Sequence, residues 1–176
     1  MKTFLEVLQE IRTRLLENIP VFDEGYAYAR PDSSKGLVVT AGNEGHCVSI
    51  SDLEGDYFYI RVPNAINSNV AKAKTDCNAD IKQTYSCTLV AVVREADEFL
   101  LSDALVNELL RTRVAEVKAT WIDAIAIIDS ELRGLDKKAV AACKARIGDR
   151  CLVRVDFELS RIFESHNCTY QICKPC

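Results

Sequence analysis

The stretch from Cys151 to Phe163, CLVRVDFELSRIF, alternates apolar and polar residues almost without interruption. Its odd-numbered positions are apolar except for Arg161, and most of its even-numbered positions are polar. A period of two residues places successive side chains on opposite sides of a β-strand, so this pattern predicts a strand with one buried face. At about 3.4 Å per residue the strand would span roughly 44 Å, which is long for a strand. We therefore expect the far end of the strand to project beyond the domain and to contact a partner.

The first third of the chain predicts a helix followed by short strands. Apolar residues recur every three or four positions over residues 2–19, as in an amphipathic helix, and Pro20 favours its end there. After a connection with room for a short strand, β-rich runs at 36–41, 46–51 and 57–62 are separated by glycine-containing turns. We interpret these three runs as an antiparallel meander.

The middle and end of the chain alternate between helix and strand patterns. Residues 64–81 contain few apolar side chains and are too long for a routine hairpin loop, so we predict an arm, a lid or a disordered excursion. The next patterns predict a central strand at 82–94 and a helix that begins at Ser102 or Asp103 and runs to about Val117. A strand at 121–129, a helix after Asp136 that ends at Gly148, and the long strand follow.

This order of elements predicts an α+β fold with a mainly antiparallel sheet and helices packed on one face. The chain has 176 residues, enough for one domain that buries a substantial core. We expect a single domain over residues 1–165, with the arm at 64–81, and a cysteine-rich C-terminal tail over residues 166–176.

The composition limits the environment in which we expect the chain to work. Hydrophobic residues make up 48% of the sequence, but no apolar run is long enough to cross a bilayer. Charged residues interrupt the N-terminal apolar pattern, so we expect no secretory signal and synthesis in a cytoplasm. In that compartment the eight cysteines are expected to be mostly free, buried thiols. A net charge of −4 disfavours a general nucleic-acid binder.

The sequence contains no strong catalytic motif. Neither a phosphate-binding loop nor a dinucleotide-binding glycine pattern is present. His46 and Cys47 are adjacent in a predicted strand, so their side chains point to opposite faces and cannot form a dyad. Asp156 and Glu158 share the polar face of the long strand, but no histidine accompanies them. We predict that the protein is not an enzyme and uses no cofactor, and an unrecognised enzyme ranks third among the alternatives.

The second interpretation is a small intracellular binding module that is stabilised by zinc in its C-terminal tail. The last residues include four groups that bind zinc, and one pair of cysteines is separated by the two residues that let both thiolates grip one ion. All four lie at one chain end, whereas structural zinc sites usually join two separated pairs. A tail disulfide and ordinary thiols are the other interpretations. The candidate ligands are His166, Cys168, Cys173 and Cys176.

Two oppositely charged segments suggest a subunit interface. Residues 42–56 contain only acidic charges, and residues 133–150 are mostly basic. If the segments lie at different ends of the molecule, they favour a head-to-tail contact that closes into a ring. The alternative is that both are solvated faces. The candidate interface residues are Glu44, Asp52, Glu54 and Asp56 on one subunit, facing Lys137, Lys138, Lys144 or Arg146 of its neighbour.

The order of elements resembles that of the tail-terminator and tail-completion proteins of the bacteriophage neck. Two segments carry the resemblance: QTYSCTLVAVVREADEFLLSDALVNELL at 83–110 and DRCLVRVDFELSRIF at 149–163. The pattern covers about two thirds of the chain and contains no single diagnostic motif.

The resemblance implies a virion structural protein without chemistry of its own. Such subunits form rings of six or twelve copies between the portal or connector and the tail. DNA passes through the lumen without sequence-specific contact, and no membrane is involved. By this resemblance, residues 64–81 and the tail after Phe163 would contact neighbouring copies or the adjacent portal, connector or tail ring proteins.

Overall fold

The computed structural model describes residues 4–32, 36–41, 46–62, 67–75, 78–112, 116–119, 137–148 and 150–165. Over these residues the chain forms three α-helices, one short 3-10 helix and eight β-strands. In chain order they are α1 (Phe4–Asn18), β1 (Glu24–Asp32), β2 (Gly36–Ala41), β3 (His46–Ser49), the 3-10 helix (Ile50–Asp52), β4 (Tyr57–Arg61), β5 (Asn67–Thr75), β6 (Asn78–Val93), α2 (Glu98–Arg111), β7 (Glu116–Ala119), α3 (Lys137–Ile147) and β8 (Cys151–Ser165).

The strands form one mixed sheet in the order β3-β2-β1-β4-β6-β8-β7, and β5 pairs with β6 beside that path. All described pairs are antiparallel except β1 with β4, which is parallel. The predicted α+β class and the mainly antiparallel sheet are therefore confirmed. The predicted meander is wrong, because β4 does not pair with β3. It lies between β1 and β6 instead.

The sheet is covered on both faces. On one face α1 and α2 contribute residues such as Leu8, Ile11 and Leu105 to a core that includes Phe58 and Val155. On the opposite face α3 and the 3-10 helix pack in a second core. The prediction that the helices pack on one face is thus wrong for α3. The physical reason is β4, whose residues Tyr57–Ile60 are all buried, so apolar side chains point to both faces and both need cover.

The strand β4 sits close enough to β1 to require a glycine there. A Cβ atom added to Gly25 would lie 2.3 Å from the ring of Phe58. That ring is fully buried and contacts Phe22 edge to face, with ring centroids 4.8 Å apart. A side chain at position 25 would therefore force the central core residues apart.

Helix boundaries differ from the predicted ones mainly in α2. The helix begins after Asp97, whose carboxylate accepts hydrogen bonds from the amides of Phe99 and Leu100. The prediction that it begins at Ser102 or Asp103 is wrong by a full turn. Residues 116–119 form β7 rather than the end of this helix. The strand predicted at 121–129 lies outside the described residues.

A buried carboxylate fastens α1 to α2. Glu108 is 6% exposed and accepts hydrogen bonds from Arg14 Nη2 at 3.3 Å, from Asn18 Nδ2 at 3.3 Å and from Arg111 Nη1 at 2.7 Å. Two of these donors lie on α1 and the third on α2 itself. Because a buried polar group is costly unless it is paired, the three donors offset the cost of burying Glu108 at this contact.

We predict that Glu108→Ala lowers the free energy of unfolding by about 2–3 kcal/mol, because it removes the shared acceptor and leaves Arg14 poorly paired. Urea unfolding followed by circular dichroism measures the change. The control is Arg111→Ala, which deletes only the exposed donor and should cost less than about 1 kcal/mol. Equal losses for the two variants would contradict the role assigned to Glu108.

Candidate functional site

The most extended feature of the fold is a three-stranded ribbon that we call the arm, formed by β5, the first half of β6 and the second half of β8. β6 pairs with β8 from Val93–Cys151 to Ala79–Ser165, and β5 pairs with β6 between Asn67–Thr84 and Thr75–Asn78. The strand β4 pairs with β6 only from Thr88 to Val92. Residues 67–75 and 78–81, predicted as part of an arm, a lid or a disordered excursion, are thus β-structure.

The root of the arm is packed against α1. The rings of Phe4 and Tyr85 stack with their centroids 4.0 Å apart and their planes within 16°. The Tyr85 hydroxyl donates to Gln83 Oε1 at 2.9 Å. Among the described side chains, Tyr85 and its partner Leu159 are the last core residues toward the tip. The ribbon beyond them continues as paired backbone to Ala79 and Ser165. That its far end projects beyond the domain and meets a partner stays a prediction.

The acidic and basic segments lie next to each other in the same chain. Val140 and Ile147 of α3 pack against the core that contains Ile50 and Leu53. The Arg150 guanidinium donates a hydrogen bond to the Gly55 carbonyl. The expectation that the two segments occupy different ends of the molecule is therefore wrong. Local charge patterns did not reveal that the apolar side of α3 must be buried. The 3-10 helix and Leu53 provide the apolar surface on which it packs.

The predicted interface residues are distributed around this contact. Asp52, Glu54, Lys137 and Lys138 are exposed, whereas Asp56 and Lys144 are half-buried. Arg146 lies in α3, and Glu44 lies outside the described residues. That these residues meet a second subunit stays a prediction.

Asp56 forms an ion-pair network at the end of the sheet opposite the arm. Its carboxylate accepts from the Arg94 backbone amide at 2.8 Å and from the guanidinium at 3.1 and 3.2 Å. Asp23 Oδ2 accepts from the Asp56 amide at 3.0 Å and from Arg94 Nη2 at 3.3 Å. Burial acts to raise the pKa of Asp56, but the hydrogen bonds from Arg94 hold it below its usual value. The network joins the starts of β1 and β4 to the end of β6.

An open groove of about 530 Å³ lies between α1 and β1. Its lining includes Leu5, Arg12 and Tyr28, and Arg12 donates to the Gly25 carbonyl. The Tyr26 hydroxyl donates to the Glu24 carboxylate, and burial together with this carboxylate raises the pKa of Tyr26. No sequence motif marks this groove, because its lining residues come from α1, β1 and β2.

Other candidate sites have structural partners or lie outside the described residues. Asp156 Oδ1 accepts from Thr88 Oγ1 at 2.7 Å and from Arg154 Nε at 3.1 Å, so it ties β8 to β6. The described residues contain no group of three or more histidine, cysteine, aspartate or glutamate side chains suited to a metal ion. The predicted zinc ligands of the tail all lie outside these residues: His166, Cys168, Cys173 and Cys176.

The described cysteine side chains are free thiols. Cys87 is buried, and Cys47 and Cys151 are half-buried. Burial raises the pKa of Cys87 to about 12. Burial, aided by Glu98 and Asp97, raises the pKa of Cys151 to about 11. Both thiols are therefore protonated and weakly nucleophilic near neutral pH.

No protein-family model matches the sequence, and no curated protein matches it significantly. None of the helices in the described part of the chain is both long enough and apolar enough to span a membrane.

We predict that Asp56→Asn lowers the free energy of unfolding at pH 7 by about 1–2 kcal/mol, because it removes the charged acceptor of Arg94. The folded-state pKa of Asp56 is depressed, so its stabilisation is complete above the unfolded-state value of about 3.9 and is lost as the pH falls through the folded-state pKa. Urea titrations at pH 7 and pH 2.5 should show a smaller difference from wild type at pH 2.5 than at pH 7. The control is Glu54→Gln, an exposed carboxylate, which should change stability by less than about 0.5 kcal/mol at either pH.

We also predict that iodoacetamide at pH 8 alkylates Cys47 of the native protein well before Cys87 and Cys151, because burial keeps the latter thiols protonated. Peptide mass spectrometry over time measures the order. In urea the three sites should react at similar rates, and a fast reaction of Cys87 in the native protein would contradict its burial.

Proposed function

We propose that this protein is a ring-forming structural subunit of the head-to-tail neck of a bacteriophage virion, similar to a tail terminator or connector. In this proposal six or twelve copies surround the DNA channel and join the portal or connector to the tail. The chain is synthesised in the host cytoplasm and becomes part of the virion. The observation that carries the proposal is the arm.

The arm extends beyond the described core side chains of its own chain. From Tyr85 toward the tip, β6 continues through Thr84 to Asn78, which is roughly 24 Å at about 3.4 Å per residue. β5 pairs only with β6 there, and the described helices that form the cores lie nearer the root. A ribbon of this length cannot gain its stability from the sheet faces that α1, α2 and α3 cover.

An ordered ribbon outside the core needs compensation for its lost chain entropy. Fixing the backbone costs about 1–2 kcal/mol per residue, and short isolated ribbons are marginal in water. β7 pairs with β8 only at residues 155–158, so no described strand pairs with the outer edge of β8 beyond Glu158. Such an edge accepts a strand or ribbon from another chain. A neighbouring copy supplies that contact in a ring.

The overall charge of the subunit is compatible with a channel through which DNA passes without being bound. Non-specific binding to duplex DNA depends on lysine and arginine contacts to phosphates. A subunit with a net charge of −4 lacks a general excess of such groups. DNA passing through the lumen of the proposed ring would therefore meet little electrostatic retention.

We predict that the purified protein has a native mass six or twelve times the 19.6 kDa of one chain. In a variant where a short Gly-Ser turn replaces residues 67–81, we expect the mass to fall to that of a monomer, because the arm carries the contact. Native mass spectrometry and light scattering measure both masses.

The control for this deletion is the thermal unfolding midpoint, which should stay within a few degrees of wild type because the described core side chains lie outside the deleted range. A wild-type protein that stays monomeric at high concentration, alone and with phage connector proteins, would contradict the proposal. An arm-deleted variant that still forms full rings would show that the arm does not carry assembly.

A further inference from the structure

The helix α2 is apolar on its outer side as well as on its buried side. Leu101, Leu105 and Leu109 face the core. On the other side Phe99 and Leu100 are each 70% exposed, and Leu110 is 52% exposed. A surface helix normally presents polar residues to water, so a second apolar face indicates a partner. The exposed carboxylate of Asp103 lies on this face, and we name the α2 patch by its residues: Phe99, Leu100, Asp103 and Leu110.

The helix α3 presents the opposite chemistry. It carries four cationic residues and no acidic one. Val140 and Ile147 pack toward the second core, whereas Lys137, Lys138 and three alanines are exposed. Small side chains leave room for large apolar groups to approach the helix, and the lysines attract carboxylates. We name this exposed surface the α3 face: Lys137, Lys138, Ala141, Ala142 and Ala145.

We infer that the α2 patch of one copy binds the α3 face of the next copy. This inference rests on the proposed ring and identifies the surfaces that close it. In such a contact Phe99 and Leu100 lie on the alanines of α3, and Asp103 pairs with Lys137 or Lys138. Apolar burial and charge complementarity then act at the same place.

The position of the two helices explains why the contact joins different copies. α2 packs on one face of the sheet and α3 on the other, so the two surfaces do not meet within one chain. Two complementary surfaces at different places on a subunit form a heterologous contact, which is the type that closes into a ring.

A charge-swap experiment tests the inference. Variant A is Asp103→Lys, and variant B is Lys137→Glu with Lys138→Glu. Each variant alone places like charges across the contact, so we expect it to need at least about tenfold more protein than wild type to assemble. In an equimolar mixture every contact pairs opposite charges again when A and B alternate around the ring. The mixture should therefore regain the wild-type native mass in light scattering and native mass spectrometry.

Two further variants keep the result interpretable. Glu17→Lys changes the charge of the exposed side of α1 by the same amount as variant A changes that of α2, and this control should assemble like wild type. Phe99→Ser with Leu100→Ser removes the two most exposed apolar side chains of the α2 patch without a charge change and should also weaken assembly. Circular dichroism melting confirms that each variant is folded before its mass is measured.

The outcomes separate this inference from the proposed function. A monomeric wild-type protein overturns the ring and the α2–α3 contact with it. If wild type forms rings and variants A and B assemble equally well, the contact is overturned and the proposed function stands. If A and B both fail to assemble and their mixture also fails, the α2 patch binds another protein or another surface, and the contact is likewise overturned.

Discussion

The antiparallel pairing of β6 with β8 is the constraint on which the other elements depend. It runs without a register shift from Val93–Cys151 to Ala79–Ser165. In the half of this pair that contains Cys151, β4 lies on the outer edge of β6 and β7 on the outer edge of β8. The helix α2 packs over this half in the first core. A slip of one residue would exchange the two faces and turn Val153, Val155 and Phe157 away from that core. The same pairing continues into the arm, so one register fixes both the core and the projecting ribbon.

The sequence predicts the elements whose pattern is local and misses arrangements that depend on distant residues. The alternation of Cys151–Phe163 and the helical spacing of α1 are sufficient to predict β8 and α1. The parallel insertion of β4 beside β1 leaves no local signal, because a strand buried on both faces has the same composition wherever it lies in the sheet. The early start of α2 was missed because exposed Phe99 and Leu100 break the amphipathic pattern that marks a helix.

The charge pattern illustrates the same limit for the candidate site. The acidic and basic segments are real features of the sequence, but their positions follow from apolar contacts. Ile50 and Leu53 cover the inner side of α3, which brings Asp52 and Glu54 to the same face of the sheet as Lys137. The outer side of α3 remains exposed, and the complementary surface lies on the opposite face of the sheet. Charge complementarity therefore indicates which residue types can form pairs. The fold determines which of these residues are positioned to contact another copy.

The arm must leave the core in a fixed direction if it is to reach a neighbour in a ring of defined size. A ribbon held only by its own hydrogen bonds could bend at its root, because twisted ribbons are flexible when no layer covers them. Here the stacked rings of Phe4 and Tyr85 hold the root against α1. α1 in turn is fastened to α2 through Glu108 and its three donors. The buried carboxylate and the ring stack thus connect the helix that carries the α2 patch to the strand that carries the arm, so that the two proposed contact surfaces keep a constant relative orientation.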